Sequence, residues 1–72
     1  MTSSTSKTKE ALKNNIIKYR KRLKLTQVQL GVWAGLTVDT VRSIEMGRRV
    51  PSLDALCKLA DALKVEPYEL LK

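Results

Sequence analysis

Fourteen Lys and Arg side chains stand against seven Asp and Glu in this sequence, with no His and a single cysteine, Cys57. Side chains of those types suit attraction to a polyanion better than bond-making chemistry. Without His the commonest general base is missing, and so is every Ser-His or Cys-His pairing that activates a nucleophile. Metal ligation is left to carboxylates alone. No catalytic residue, metal or cofactor is therefore expected, and the chain is not expected to be an enzyme. The basic residues are also unevenly placed. Residues 1–49 hold eleven basic and three acidic side chains, a net +8, whereas residues 50–72 hold three and four, a net −1. A polyanion would find its attraction on the first two thirds of the chain.

The elements that must position those cations follow from caps and periodicity. Residues 1–9, MTSSTSKTK, carry Ser, Thr and Lys without hydrophobic periodicity and are expected to form a disordered arm. One domain then fills residues 10–72. Leu12, Ile16, Tyr19 and Leu23 recur at helical spacing among Lys13, Lys18, Lys21 and Arg22, predicting a first helix over 10–23 with one core face and one basic face. Thr26 reads as the N-cap of a second helix that turns Leu30 and Ala34 inward, and Gly35 ends it. Eleven residues after Thr26, Thr37 caps a third helix. This one turns Val41 and Ile44 inward, places Asp39 in its first turn where the dipole favours an anion, and stops at Gly47. Ser52 caps a fourth helix, whose expected apolar stripe is Leu53, Leu56, Ala60 and Leu63 with Leu59 beside it and Cys57, a buried structural thiol, at its edge. Pro67 opens a short fifth helix with Tyr68, Leu70 and Leu71 on its apolar side. No strand pattern or repeat is visible, so the expected fold is all-α, five helices around one small core.

Two capped helices joined by a tight Gly-centred turn, the second short and presenting polar side chains between its inward positions, make a helix-turn-helix arrangement. Such a pair lays its first helix across a duplex backbone and its second in the major groove, about 12 Å wide, which admits one helix.

Over residues 12–71 the chain resembles the DNA-binding domain of the phage repressor and Cro family, the lambda-repressor-like helix-turn-helix proteins. The motifs that carry the resemblance are LTQVQL opening the second helix, AGLT at the turn, VRSIEMGRRVPS leaving the third, and LCKLADALKV with YELL at the end. It implies that Val38, Asp39, Thr40, Arg42 and Ser43 meet base edges or nearby phosphates, with Val38 against a thymine methyl, Asp39 accepting from cytosine or serving the helix dipole alone, and Arg42 paired to guanine. Thr26, Gln27, Thr37, Arg48 and Arg49 fall at phosphate-contacting positions, Gln27 also buttressing the recognition helix. Arg20 and Glu45 match a salt bridge that this family often forms.

The sequence departs from the family at three places. Gly31 stands where Ala is usual, at the contact between second and third helices, so Gly31→Ala is expected to raise the thermal midpoint by removing a helix-interior glycine. Lys64 stands where a terminating Gly is common. Trp33, usually polar in the family, is expected to pack partly. The implied partner is double-stranded DNA carrying a palindromic operator, bound by a weak homodimer through Val65, Pro67, Tyr68, Leu70 and Leu71. The implied role is a sequence-specific transcriptional regulator of phage or bacterial type acting by repression. Alternatives are a restriction-modification controller, an antitoxin-like autoregulator, and a helix-turn-helix scaffold for protein contact. No apolar run reaches the ~18 residues that a membrane span needs. With no signal peptide recognisable, a cytoplasmic location is expected.

Overall fold

Four left-handed residues divide the chain into its elements. In the computed structural model, which describes residues 3–72, helices α1 (Ser3–Arg22), α2 (Gln27–Ala34), α3 (Val38–Glu45) and α4 (Leu53–Leu63) are followed by a single 3-10 turn, Pro67–Leu70. Lys24, Gly35, Gly47 and Lys64 all have φ between 59° and 76°. Each lies just past the end of a helix, and each is followed by an amide that reaches back five residues. Leu25 N donates to Arg20 O, Leu36 N to Gly31 O, Arg48 N to Ser43 O and Val65 N to Ala60 O. That repeated closure satisfies carbonyls that the helix ends would otherwise leave open. Glycine fills the position twice and lysine twice, so two helix ends carry the steric cost of a Cβ in the left-handed region.

The starts are equally local. Thr26, Thr37 and Ser52 each accept a hydrogen bond from the amide three residues on, and at α2 the Thr26 amide donates in return to Oε1 of Gln29. Around the resulting scaffold the core collects Leu12, Ile16 and Tyr19 from α1, Leu30 and Ala34 from α2, Val41 and Ile44 from α3, and Leu56, Leu59, Ala60 and Leu63 from α4, with Leu25 and Leu70 closing its ends. Among the described residues no strand occurs, and no helix is long and apolar enough to cross a membrane.

Several expectations need correction. The arm expected to be disordered over 1–9 is helical from Ser3 onward; Met1 and Thr2 lie outside the described residues. No Gly or Pro interrupts residues 3–9, and extending a helix already nucleated by the core-packed turns costs little per residue. The expected fifth helix is one 3-10 turn, anchored at its end by Asn15, whose side-chain amide donates to Leu70 O at 3.1 Å. Leu53 is 77% exposed rather than part of the α4 stripe. Because Leu53 is the first residue of α4, its side chain leans over the helix end, toward solvent. Cys57, one turn later on the same side, is exposed too. Leu70 is fully buried, which removes it from any self-association surface. Trp33 is 55% exposed.

Gly31 reverses its expected role. A Cβ built there would lie 2.8 Å from the Leu36 carbonyl oxygen and 3.5 Å from backbone atoms of Thr37 and Val38. The chain entering α3 passes directly over α2 at this residue, so a Cβ there would require the turn to shift.

Candidate nucleic-acid interface

The angle between α2 and α3 is held from beneath by a polar hub. Glu45, at the end of α3, is only 6% exposed, yet its carboxylate is fully engaged. Arg20 of α1 donates through Nε to Oε2 at 2.6 Å and through Nη2 to Oε1 at 3.0 Å, while Gln27 of α2 donates through Nε2 to Oε1 at 3.0 Å. The remaining Arg20 nitrogen, Nη1, donates to Leu25 O at 2.8 Å. Three helices thus meet on one carboxylate. A forked guanidinium fits this task because its donors are rigid and coplanar. Gln27 therefore spends its side-chain amide on the recognition helix. Its backbone N–H and that of Val28 belong to the first turn of α2, where no intrahelical acceptor exists and the dipole is positive.

On α3, Val41, Ile44 and Glu45 face inward, and the residues three, four and seven positions apart on the opposite side face out. Asp39, Arg42, Ser43 and Met46 make up that outer face, with Val38 and Thr40 at its margins. Asp39 and Arg42 touch: Arg42 Nη1 donates to Asp39 Oδ1 at 3.1 Å, with the carboxylate side chain 86% and the arginine side chain 51% exposed. Thr40 is tied differently. Its hydroxyl shares a 2.9 Å hydrogen bond with that of Thr37 and accepts one from Arg49 Nη1 at 3.2 Å. This short chain links the start of α3 to the basic turn that follows it. Arg48 and Arg49 are both exposed there. Thr26 and Thr37 already accept from the amides they cap, Gln29 N and Thr40 N.

The structure thus gathers Val38, Asp39, Thr40, Arg42 and Ser43 on one helix, with Thr37, Arg48 and Arg49 at its two ends. Thr26 and Gln27 open the neighbouring helix, and Arg20 with Glu45 lie underneath. Met46, 52% exposed, shares the outer face and was not singled out from the sequence. The available signal was its spacing of seven from Asp39. Behind this surface, Lys18 and Arg22 flank the Tyr19 ring at 4.8 and 4.5 Å from its centroid, which places two more cations on the outside of α1.

Comparison with known proteins agrees with this geometry. A helix-turn-helix family model matches residues 16–70. The chain is 34% identical over 59 residues to the cryptic phage CTXphi transcriptional repressor RstR of Vibrio cholerae, an alignment that covers 82% of this chain and 53% of the repressor. It therefore spans about half the length of that curated relative. The crystal structure of the restriction-modification controller protein C.AhdI from Aeromonas hydrophila superposes with a TM-score of 0.82 at 33% identity, covering 92% of this chain and 97% of that one. With the two capped helices, the glycine-mediated crossing and a family match over most of its length, the chain belongs to the helix-turn-helix family of the Cro/C1 type.

Proposed function

We propose that this protein is a sequence-specific double-stranded DNA-binding transcriptional regulator that represses by occupying an operator rather than by catalysis. The observation that carries this reading is the outer face of α3: a polar, partly cationic helix surface fixed in orientation by a buried three-helix hub and flanked by Arg48 and Arg49. In this reading α3 enters the major groove. Val38, Thr40, Arg42 and Ser43 supply the contacts to base edges and adjacent phosphates, with Asp39 beside Arg42 on the same face, and Met46 offers an apolar surface suited to a thymine methyl. Phosphates are held by the first-turn amides of Gln27 and Val28, by the hydroxyls of Thr26 and Thr37, and by Arg48 and Arg49. Thr40 and Arg49 exchange their mutual hydrogen bond for nucleic-acid contacts on binding. Residues 10–72 form the DNA-binding unit, and Ser3–Lys9 continue α1 outward.

The operator is a palindrome read by a weak homodimer, for which Tyr68 and Leu71 provide exposed apolar surface beside the half-buried Val65 and Pro67. The compartment is the cytoplasm. Two roles fit this surface, a phage-type repressor and a restriction-modification controller. The first is supported by 34% identity to a phage repressor and the second by a TM-score of 0.82 to a controller structure. Affinity for a duplex measured from ~50 to ~200 mM salt tests the reading, because phosphate contacts release counterions and make log affinity fall linearly with log salt. A steep fall is expected; absence of measurable binding at the low end would overturn it.

A further inference from the structure

Asp39 is out of place on the outer face of α3. Of the three acidic residues in the +8 portion of the chain, Glu45 is buried in the hub and Glu10 is on α1, where Lys13 pairs with it at 3.5 Å. Asp39 alone sits at the centre of the surface offered to a polyanion. Its contact with Arg42 accounts for this. The two residues are three apart on one helix, and the carboxylate takes Nη1 of the guanidinium. An arginine held at Nη1 keeps its Nε and Nη2 edge open. That edge is the planar two-donor fork that matches the O6 and N7 acceptors of guanine. A free arginine at the same place would instead satisfy any phosphate within reach.

We propose that Asp39 is a positioning and specificity residue: it holds the Arg42 guanidinium in the geometry that reads a guanine, and its charge weakens attachment to DNA lacking that base. This deepens the DNA-binding reading and rests on it. Asp39 subtracts a favourable charge from the non-specific complex, where Arg42 would otherwise add one phosphate contact. In the specific complex the pair is retained, so its cost is small.

The experiment compares wild type, Asp39→Asn, Arg42→Ala and the double variant on a duplex selected by the wild type and on an unrelated duplex of equal length, across a salt series. Base preferences come from sequencing selected pools, and thermal midpoints confirm folding. Asp39→Asn keeps a side chain tolerated in the first turn of a helix, so folding is expected to survive. Asp39→Asn is expected to bind the unrelated duplex several-fold more tightly, with a salt slope steeper by about one. The ratio of specific to non-specific affinity falls about tenfold, within the range for one bidentate base contact. Preference for guanine weakens at one position per half-site. Arg42→Ala loses preference at that same position, and adding Asp39→Asn to it costs no further discrimination. If Asp39→Asn leaves the affinity ratio unchanged, or alters a base pair other than the one Arg42 governs, the positioning role is overturned while DNA recognition stands. A wild-type pool that stays random would remove both.

Discussion

Replacing Gly31 with alanine is the sharpest test of how α2 and α3 are held, because two effects of opposite sign meet at one atom. Helix propensity alone favours alanine by roughly 0.5–1 kcal/mol, since glycine in a helix interior costs backbone entropy. Against this, the new Cβ would lie 2.8 Å from Leu36 O, where ordinary contact begins at 3.4 Å. The obstacle is backbone, and it cannot swing away like a side chain. Leu36 is itself pinned to Gly31 by a 2.8 Å hydrogen bond from its amide to the Gly31 carbonyl. The turn leading into α3 must therefore lift by about 0.6 Å (3.4 − 2.8), which strains that bond. Overpacking of this kind costs about 1–3 kcal/mol. The balance is a net loss near 1 kcal/mol, or roughly 4–8 °C in the thermal midpoint of a domain this size. Thermal unfolding followed by circular dichroism reads it directly. A midpoint equal to or above that of the wild type would refute the reasoning, showing that the turn yields at no cost.

Lys64 offers the reverse case, with a left-handed φ of 63° and a Cβ that this conformation penalises. Lys64→Gly is expected to raise stability by about 1 kcal/mol in chemical denaturation whereas Lys64→Ala gives no gain, because alanine keeps the Cβ. The buried hub predicts strong non-additivity. Glu45→Ala should cost about 3–5 kcal/mol by leaving Arg20 unpaired, yet the double replacement Arg20→Met with Glu45→Leu should cost less than that single change in urea melts.

Local chemistry made much of the fold readable. Thr26, Thr37 and Ser52 announce helix starts because a short side-chain oxygen can satisfy a nearby amide, and Gly35 announces a stop because it bears no Cβ. The inward positions Val41 and Ile44 follow from spacing alone. What stayed hidden depends on distant partners. Gly31 reads as a weak helix residue until the Leu36 carbonyl is seen above it. Leu53 fits the α4 stripe by spacing, but as first residue of the helix it stays exposed, and Cys57 one turn later is exposed too. Lys24 carries no mark of its left-handed backbone, since lysine has no local preference for it. In the candidate interface, the basic turn and the polar face of α3 can be located from the sequence. The internal bonds that occupy Thr40 and Arg42 cannot, because they depend on side-chain conformation, and the bond of Gln27 beneath the recognition helix is indicated only by the family resemblance.

Selection of bound duplexes from a randomised pool of ~24 base pairs at ~150 mM salt, followed by sequencing, tests sequence-specific recognition most directly. An enriched inverted repeat with half-sites about one helical turn, ~34 Å, apart is the predicted result. A recovered pool as random as the input would contradict it, leaving the basic face as a general attraction for polyanions.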